Sequence, residues 1–165
     1  MKLLITGHDA AGRSIFSHVG PPPRSSYPGS YEFWSTKGPI SVPDPTAPDA
    51  PAAIDYFPAE GETTFISVTV PPDSEVSDIP VDGGPVAEEM KQYAENPDDV
   101  AVHTTDTIDY VVIVSGRGEL ELDDGRKEVV QAGDCVVQRG TRHAWRNPGD
   151  EPLVLVAALI GARRC

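Results

Sequence analysis

Three side chains in the C-terminal half of this chain have the types and spacing to share one reaction centre: His103, Asp109 and His143. Neutral imidazole and carboxylate are good ligands for divalent iron, manganese, nickel or zinc. Two histidines with one carboxylate leave open positions suited to activating dioxygen. The same groups without a metal would serve as a general acid and base. Read singly, His103 and His143 also fit as hydrogen-bonded barrel histidines that bind nothing. Asp109 resists a purely structural explanation. It leads the apolar run Tyr110 to Val114, and strand alternation sets it on the inward face with Val111 and Ile113. An ionised carboxylate there needs a cation, a metal or several donors. Asp106, three residues earlier, reads as a turn former before it reads as a substitute ligand.

The elements that would position these groups are strands. Tyr110 to Val114 and Cys135 to Val137 are β-branched, apolar segments, each tied to a histidine and separated by DDG and AGD turns. Gly116, Gly118, Gly125, Gly133, Gly140 and Pro148-Gly149 punctuate the region at the spacing of an antiparallel barrel or jelly roll. Trp145, two residues after His143, shares its strand face and lines the cavity or packs in the core. Tyr110 faces away from Asp109. Glu119 and Glu121 alternate with Leu120 and Leu122 as a solvated hairpin face. Thr63 to Val70 opens the barrel and Leu153 to Ile160 is its last buried strand.

Around this core the pattern changes. Short strands are expected over Lys2 to Thr6 and Ser14 to Val19, with His8 and His18 as surface residues. From 20 to 60 prolines recur so often that neither helix nor central strand is expected to run far. Tyr27, Tyr31, Phe33, Trp34, Ile54, Tyr56 and Phe57 nevertheless supply apolar anchors for an arm packed on the barrel or on a second subunit. One helix is expected from Pro85 to Asn96, with Val86, Met90, Tyr93 and Ala94 on its packed face. The expected organisation is one structural domain: strands and a proline-rich arm over 1–62, and a barrel over 63–165.

At these residues the chain resembles the cupin superfamily. Its first motif places two histidines and an acid ahead of a glycine. His103 matches the leading histidine, Thr105 stands at the second, and Asp109 precedes Gly116 with six residues between. The second motif is matched by Gly133-Asp134, Gly140, His143 and Asn147, while Gln138 and Arg139 stand where a proline is usual. The resemblance implies an all-β, cupin-type jelly-roll barrel of the conserved-barrel kind, with metal ligands at His103, Asp109 and His143. Thr105, Val111, Ile113 and Trp145 would line its pocket, with Thr105 placed to orient a metal-bound water or a substrate oxygen.

Composition narrows the partners. Thirteen basic residues against 26 acidic ones give a net charge of −13, which opposes nucleic acid and anionic membrane surfaces. Arg139, Arg142 and Arg146 cluster as a solvated rim or as a site for a carboxylate or phenolate substrate. Cys135 and Cys165 form no paired motif, and the Leu3 to Ile5 run is too short for a signal or a span, so a cytoplasmic protein is expected. The leading expectation is a metal-dependent enzyme acting on a small, partly apolar organic molecule as a dioxygenase, isomerase, decarboxylase or lyase. A metal-free acid–base catalyst (dehydratase, epimerase or cyclase) and a non-catalytic binding barrel are the alternatives. A homodimer is expected from the resemblance and from the apolar arm.

Overall fold

Burial alternates residue by residue along the strands that carry the site, and this alternation builds the molecule. The computed structural model describes residues 1–27, 29–42, 55–76, 90, 92–96 and 99–165. In chain order the strands are β1 (Leu3–His8), β2 (Ser14–Gly20), β3 (Arg24–Tyr27), β4 (Ser30–Thr36), β5 (Thr63–Val70), β6 (Ala94–Asn96) and β7 (Asp99–His103). They continue as β8 (Thr107–Ser115), β9 (Arg117–Glu121), β10 (Lys127–Gln131), β11 (Cys135–Arg139), β12 (Ala144–Arg146) and β13 (Leu153–Gly161). The fold is all-β, as the sequence pattern predicts.

One sheet runs β11-β8-β13-β5-β4-β3 and a smaller one β10-β9-β12, with β1-β2 and β6-β7 as separate hairpins. In β13 every second residue from Leu153 to Gly161 is buried, and in β8 the buried phase is Thr107, Asp109, Val111 and Ile113. Their register sets Leu159 opposite Asp109 and Ala157 opposite Val111. The core lies between the two sheets. Ile66, Val111, Ile113, Leu155 and Leu159 come from the larger one, Val130 and Trp145 from the smaller. Burial of such side chains contributes about 1.5–3 kcal/mol each.

Two expectations change. The sequence predicts no long strand between 20 and 60, yet β4 spans Ser30–Thr36 and pairs with β5. The reason is local: no proline falls between Pro28 and Pro39, enough for seven residues with Tyr31, Phe33 and Trp34 to pack. Phe33 is buried, as are Tyr56 and Phe57, so part of the arm packs on the barrel. Ile54 and the rest of the arm over 43–54 lie outside the described residues. The helix expected over Pro85–Asn96 is also shortened. Met90, Gln92 and Tyr93 are helical, but Ala94–Asn96 forms β6 and pairs with β7. Pairing with Asp99–His103 wins over helix propensity there. Val86 lies outside the described residues, while Met90 and Tyr93 do pack against the core. Among the described residues no helix is long and apolar enough to cross a membrane.

Candidate functional site

β7 ends at His103, and His143 immediately precedes β12; the two residues face each other in an isolated antiparallel bridge. Each backbone N–H donates to the other's carbonyl, at 3.1 and 3.0 Å. This exchange places the side chains side by side, with ring centroids 4.4 Å apart and planes inclined by 62°.

The backbone also fixes which ring nitrogen carries the proton. Nδ1 of His103 lies 2.9 Å from the Ala101 carbonyl, and Nδ1 of His143 lies 2.9 Å from the Thr141 carbonyl. A carbonyl can only accept, so both Nδ1 atoms hold hydrogen and both Nε2 atoms carry the lone pair. Burial, helped by the neighbouring His143, pushes the His103 pKa down to about 4, and burial likewise lowers that of His143. Both rings are therefore neutral at pH 7.

Asp109 reaches the same place from β8. In the β8–β11 register it stands opposite Gln138, and Gln138 is the link to the histidines. The Gln138 Nε2 donates to Asp109 Oδ2 at 3.1 Å and to His143 Nε2 at 3.0 Å, one hydrogen to each. On the other side the Thr107 hydroxyl stands near enough to favour the ionised form of Asp109. Thr107 in turn shares a 2.8 Å hydroxyl pair with Thr105, in which either oxygen can donate. All of these side chains except that of His103 are fully buried. Burial pushes the Asp109 pKa up, against the pull of Thr107, His143 and Gln138.

The structure thus brings His103, His143, Asp109 and Thr105 to one end of the barrel, but it does not close the first three into a single ligand cluster. Among the described residues no three His, Cys, Asp or Glu side chains are gathered as a metal site. The Gln138 amide stands between Asp109 and His143. The donor set nonetheless suits a cation chemically. Asp109 Oδ1 and Gln138 Oε1 are buried acceptors with no hydrogen-bond partner, and no donor among the described residues reaches His103 Nε2. Each orphaned buried acceptor costs about 1–3 kcal/mol. The centre has more lone pairs than hydrogens, and a positive charge would complete it.

The remaining expectations separate clearly. Val111 and Ile113 share the face of Asp109 but are core residues, and Trp145 is half-buried against that core. Tyr110 points out to solvent. Arg142 pairs with Glu95 at 2.7 Å, and Arg146 with Asp99 at 2.9 Å and Glu121 at 3.0 Å. Those two arginines are already neutralised, and only Arg139 keeps the exposed place expected of the rim. Asp106 is exposed and paired with Arg164, away from the histidines. A surface groove of about 210 Å³ bounded by Arg117, Gly118, Glu119, Val129, Pro148 and Gly149 shares none of the site residues.

Two members of the network, Thr107 and Gln138, were not singled out from the sequence for chemistry. The available signal was phase. Val136 and Gln138 occupy the inward positions of β11, and a glutamine on a buried phase requires a polar partner.

The model of the cupin domain family matches residues 92–159. The phomopsin biosynthesis cluster protein C′ of Diaporthe leptostromiformis is 30% identical over 146 residues, covering 87% of this chain and 68% of that protein. The oryzines biosynthesis cluster protein J of Aspergillus oryzae is 50% identical over 46 residues, 28% of this chain and 26% of that one. The cupin-domain-containing oxidoreductase srdD of Neurospora crassa is 50% identical over 46 residues, 28% of this chain and 24% of that one. In these last two the match spans about a quarter of the relative's length. The DMSP lyase DddQ of Ruegeria pomeroyi superposes with a TM-score of 0.43 at 16% identity, over 80% of this chain and 46% of that one. An overlay that loose carries no argument about chemistry.

Proposed function

The chain belongs to the cupin superfamily, and from that premise we propose that it is an enzyme acting on a small, partly apolar organic molecule at the centre formed by His103, His143, Asp109 and Gln138. The names of the relatives support turnover over simple binding: two belong to biosynthesis clusters and one is an oxidoreductase. The observation that carries the reading is the surplus of buried acceptors around two imidazoles whose Nε2 atoms carry lone pairs, that of His103 meeting no donor among the described residues and that of His143 taken up by Gln138.

We assign the missing positive charge to a divalent metal ion held by His103 Nε2, His143 Nε2 and Asp109. Iron, manganese, nickel and zinc all accept this ligand set, and the bound ion would supply Lewis-acid or oxygen-activating chemistry. The protein's own part is positional. The Ala101 and Thr141 carbonyls lock the imidazoles in the tautomer a ligand needs, as outer partners of metal-bound histidines do. Gln138 holds the Asp109 carboxylate from β11, and the Thr105–Thr107 hydroxyl pair lies beside it.

A second reading makes the missing charge a proton. Burial raises the Asp109 pKa, and a protonated Asp109 beside the neutral imidazoles of His103 and His143 would offer an acid and a base to one substrate, an arrangement suited to dehydration, epimerisation or cyclisation. Elemental analysis of protein purified without a tag or chelator, on wild type and on Asp109→Ala, decides between them. Near-stoichiometric metal that is lost in the variant supports the first reading. Metal absent from both, and not taken up on reconstitution, supports the second.

A further inference from the structure

The least explained side chain at the centre is Gln138. A glutamine buried for structural reasons has both ends of its amide satisfied. Here only the nitrogen end is. Its two hydrogens go to Asp109 Oδ2 and His143 Nε2, while Oε1 is enclosed without a donor, as is Asp109 Oδ1. The NH2 group therefore does in the metal-free centre what a cation would do: it bridges a carboxylate and an imidazole lone pair.

We infer that Gln138 is a swing ligand of the metal centre, with its NH2 group spanning Asp109 and His143 when the site is empty and its Oε1 joining His103, His143 and Asp109 as a ligand when a divalent cation enters. The inference rests on the metal reading above. The movement required is rotation about the terminal torsion of one side chain, which is broad and needs no backbone change. In the metal-free protein the turned amide is disfavoured, because Oε1 would oppose the His143 lone pair and the Asp109 carboxylate. A cation reverses that preference, since each atom then set against another becomes a ligand. Neither orientation by itself satisfies the centre, and the two together describe a site that stays ordered both empty and filled.

The test is a titration of the chelator-treated full chain with Co²⁺ alone, followed by the visible ligand-field bands of the ion, on wild type, Gln138→Ala and Gln138→Glu. Wild type is expected to bind with histidine-type bands. Gln138→Ala is expected to bind about tenfold or more weakly with an altered band shape. Gln138→Glu, which keeps the reach and adds a charge, is expected to bind more tightly. A Gln138→Ala protein with unchanged affinity and spectrum, or a Gln138→Glu protein that binds no better than wild type, overturns the inference and leaves the metal reading standing. Bands absent from both wild type and Gln138→Glu overturn the metal reading and the inference with it. In wild type, Zn²⁺ is expected to move the Gln138 side-chain amide resonances in a nitrogen–proton spectrum as the bond to His143 is released. Resonances unmoved at saturation overturn the inference without any variant.

Discussion

At the scale of single residues, the centre is distinguished by how much of it is neutral and buried. His103 titrates near 4 when folded against an ordinary value of 6.5, so the unfolded chain binds more protons than the folded one between those pH values. Its contribution is fully present above pH 6.5 and is lost as pH falls through 4. The size is about 3 kcal/mol for the metal-free protein. Denaturant unfolding from pH 7 to pH 4 should show this loss, and His103→Gln should flatten the slope. A slope unchanged in the variant would show that another group carries the acid sensitivity. Asn147 makes a different point. It matches the asparagine of the second motif, yet it touches no ligand group. Fully buried, it donates to the Val70 and Glu151 carbonyls at 3.0 and 2.9 Å and accepts from the Gly149 N–H at 3.1 Å. Asn147→Ala is expected to cost about 3 kcal/mol of stability, measured by urea unfolding, because two buried carbonyls lose their donor.

At the scale of elements, the sequence was most readable where periodicity and burial agree. β5 occupies Thr63–Val70 as expected, and β8, β11 and β13 extend their expected cores by a few residues. Asp109 on the inward phase of β8 was readable for the same reason. The partners of that carboxylate were not, because pairing of β8 with β11 joins residues far apart in sequence, and alternation within one strand does not reveal which neighbour it will meet. β6 was missed because a three-residue strand has too little pattern to outweigh the helical signals before it. Close approach between elements was equally hidden. A Cβ on Gly161 would collide with the Ala59 backbone, and Gly161 exchanges backbone bonds with the 61–62 segment at 3.0 and 2.9 Å. Gly161→Ala should therefore destabilise by about 1–3 kcal/mol. Limited proteolysis should show its cost first as faster cleavage near residue 60.

At the scale of the whole molecule, the outer face of the six-stranded sheet stands out against a net charge of −13. Val137, Tyr110, Ala158 and Phe65 follow one another across β11, β8, β13 and β5, and three of the four are exposed. We propose this row as the seat of the homodimer expected from the sequence, since its apolar side chains let two copies of an acidic chain meet without setting carboxylate against carboxylate. Four strands spaced by about 4.8 Å offer a footprint roughly 15–20 Å wide along strands of up to about 30 Å, the order of area of the roughly 800 Å² per partner of a standard interface. Sedimentation equilibrium is expected to give a dimer for wild type and a monomer for a Tyr110→Glu, Val137→Glu double variant. A wild-type monomer at working concentration would remove the idea. The His103–His143 bridge has a consequence at this scale too. It is a backbone stitch that, with the Arg146–Asp99 ion pair, fastens the β6–β7 hairpin to the smaller sheet, and the rings that would receive a ligand hang from that stitch. Anything that draws the two imidazoles together tightens the seam, so the exchange of these two backbone amides with heavy water becomes a clock that slows when the centre is filled, readable without knowing the substrate.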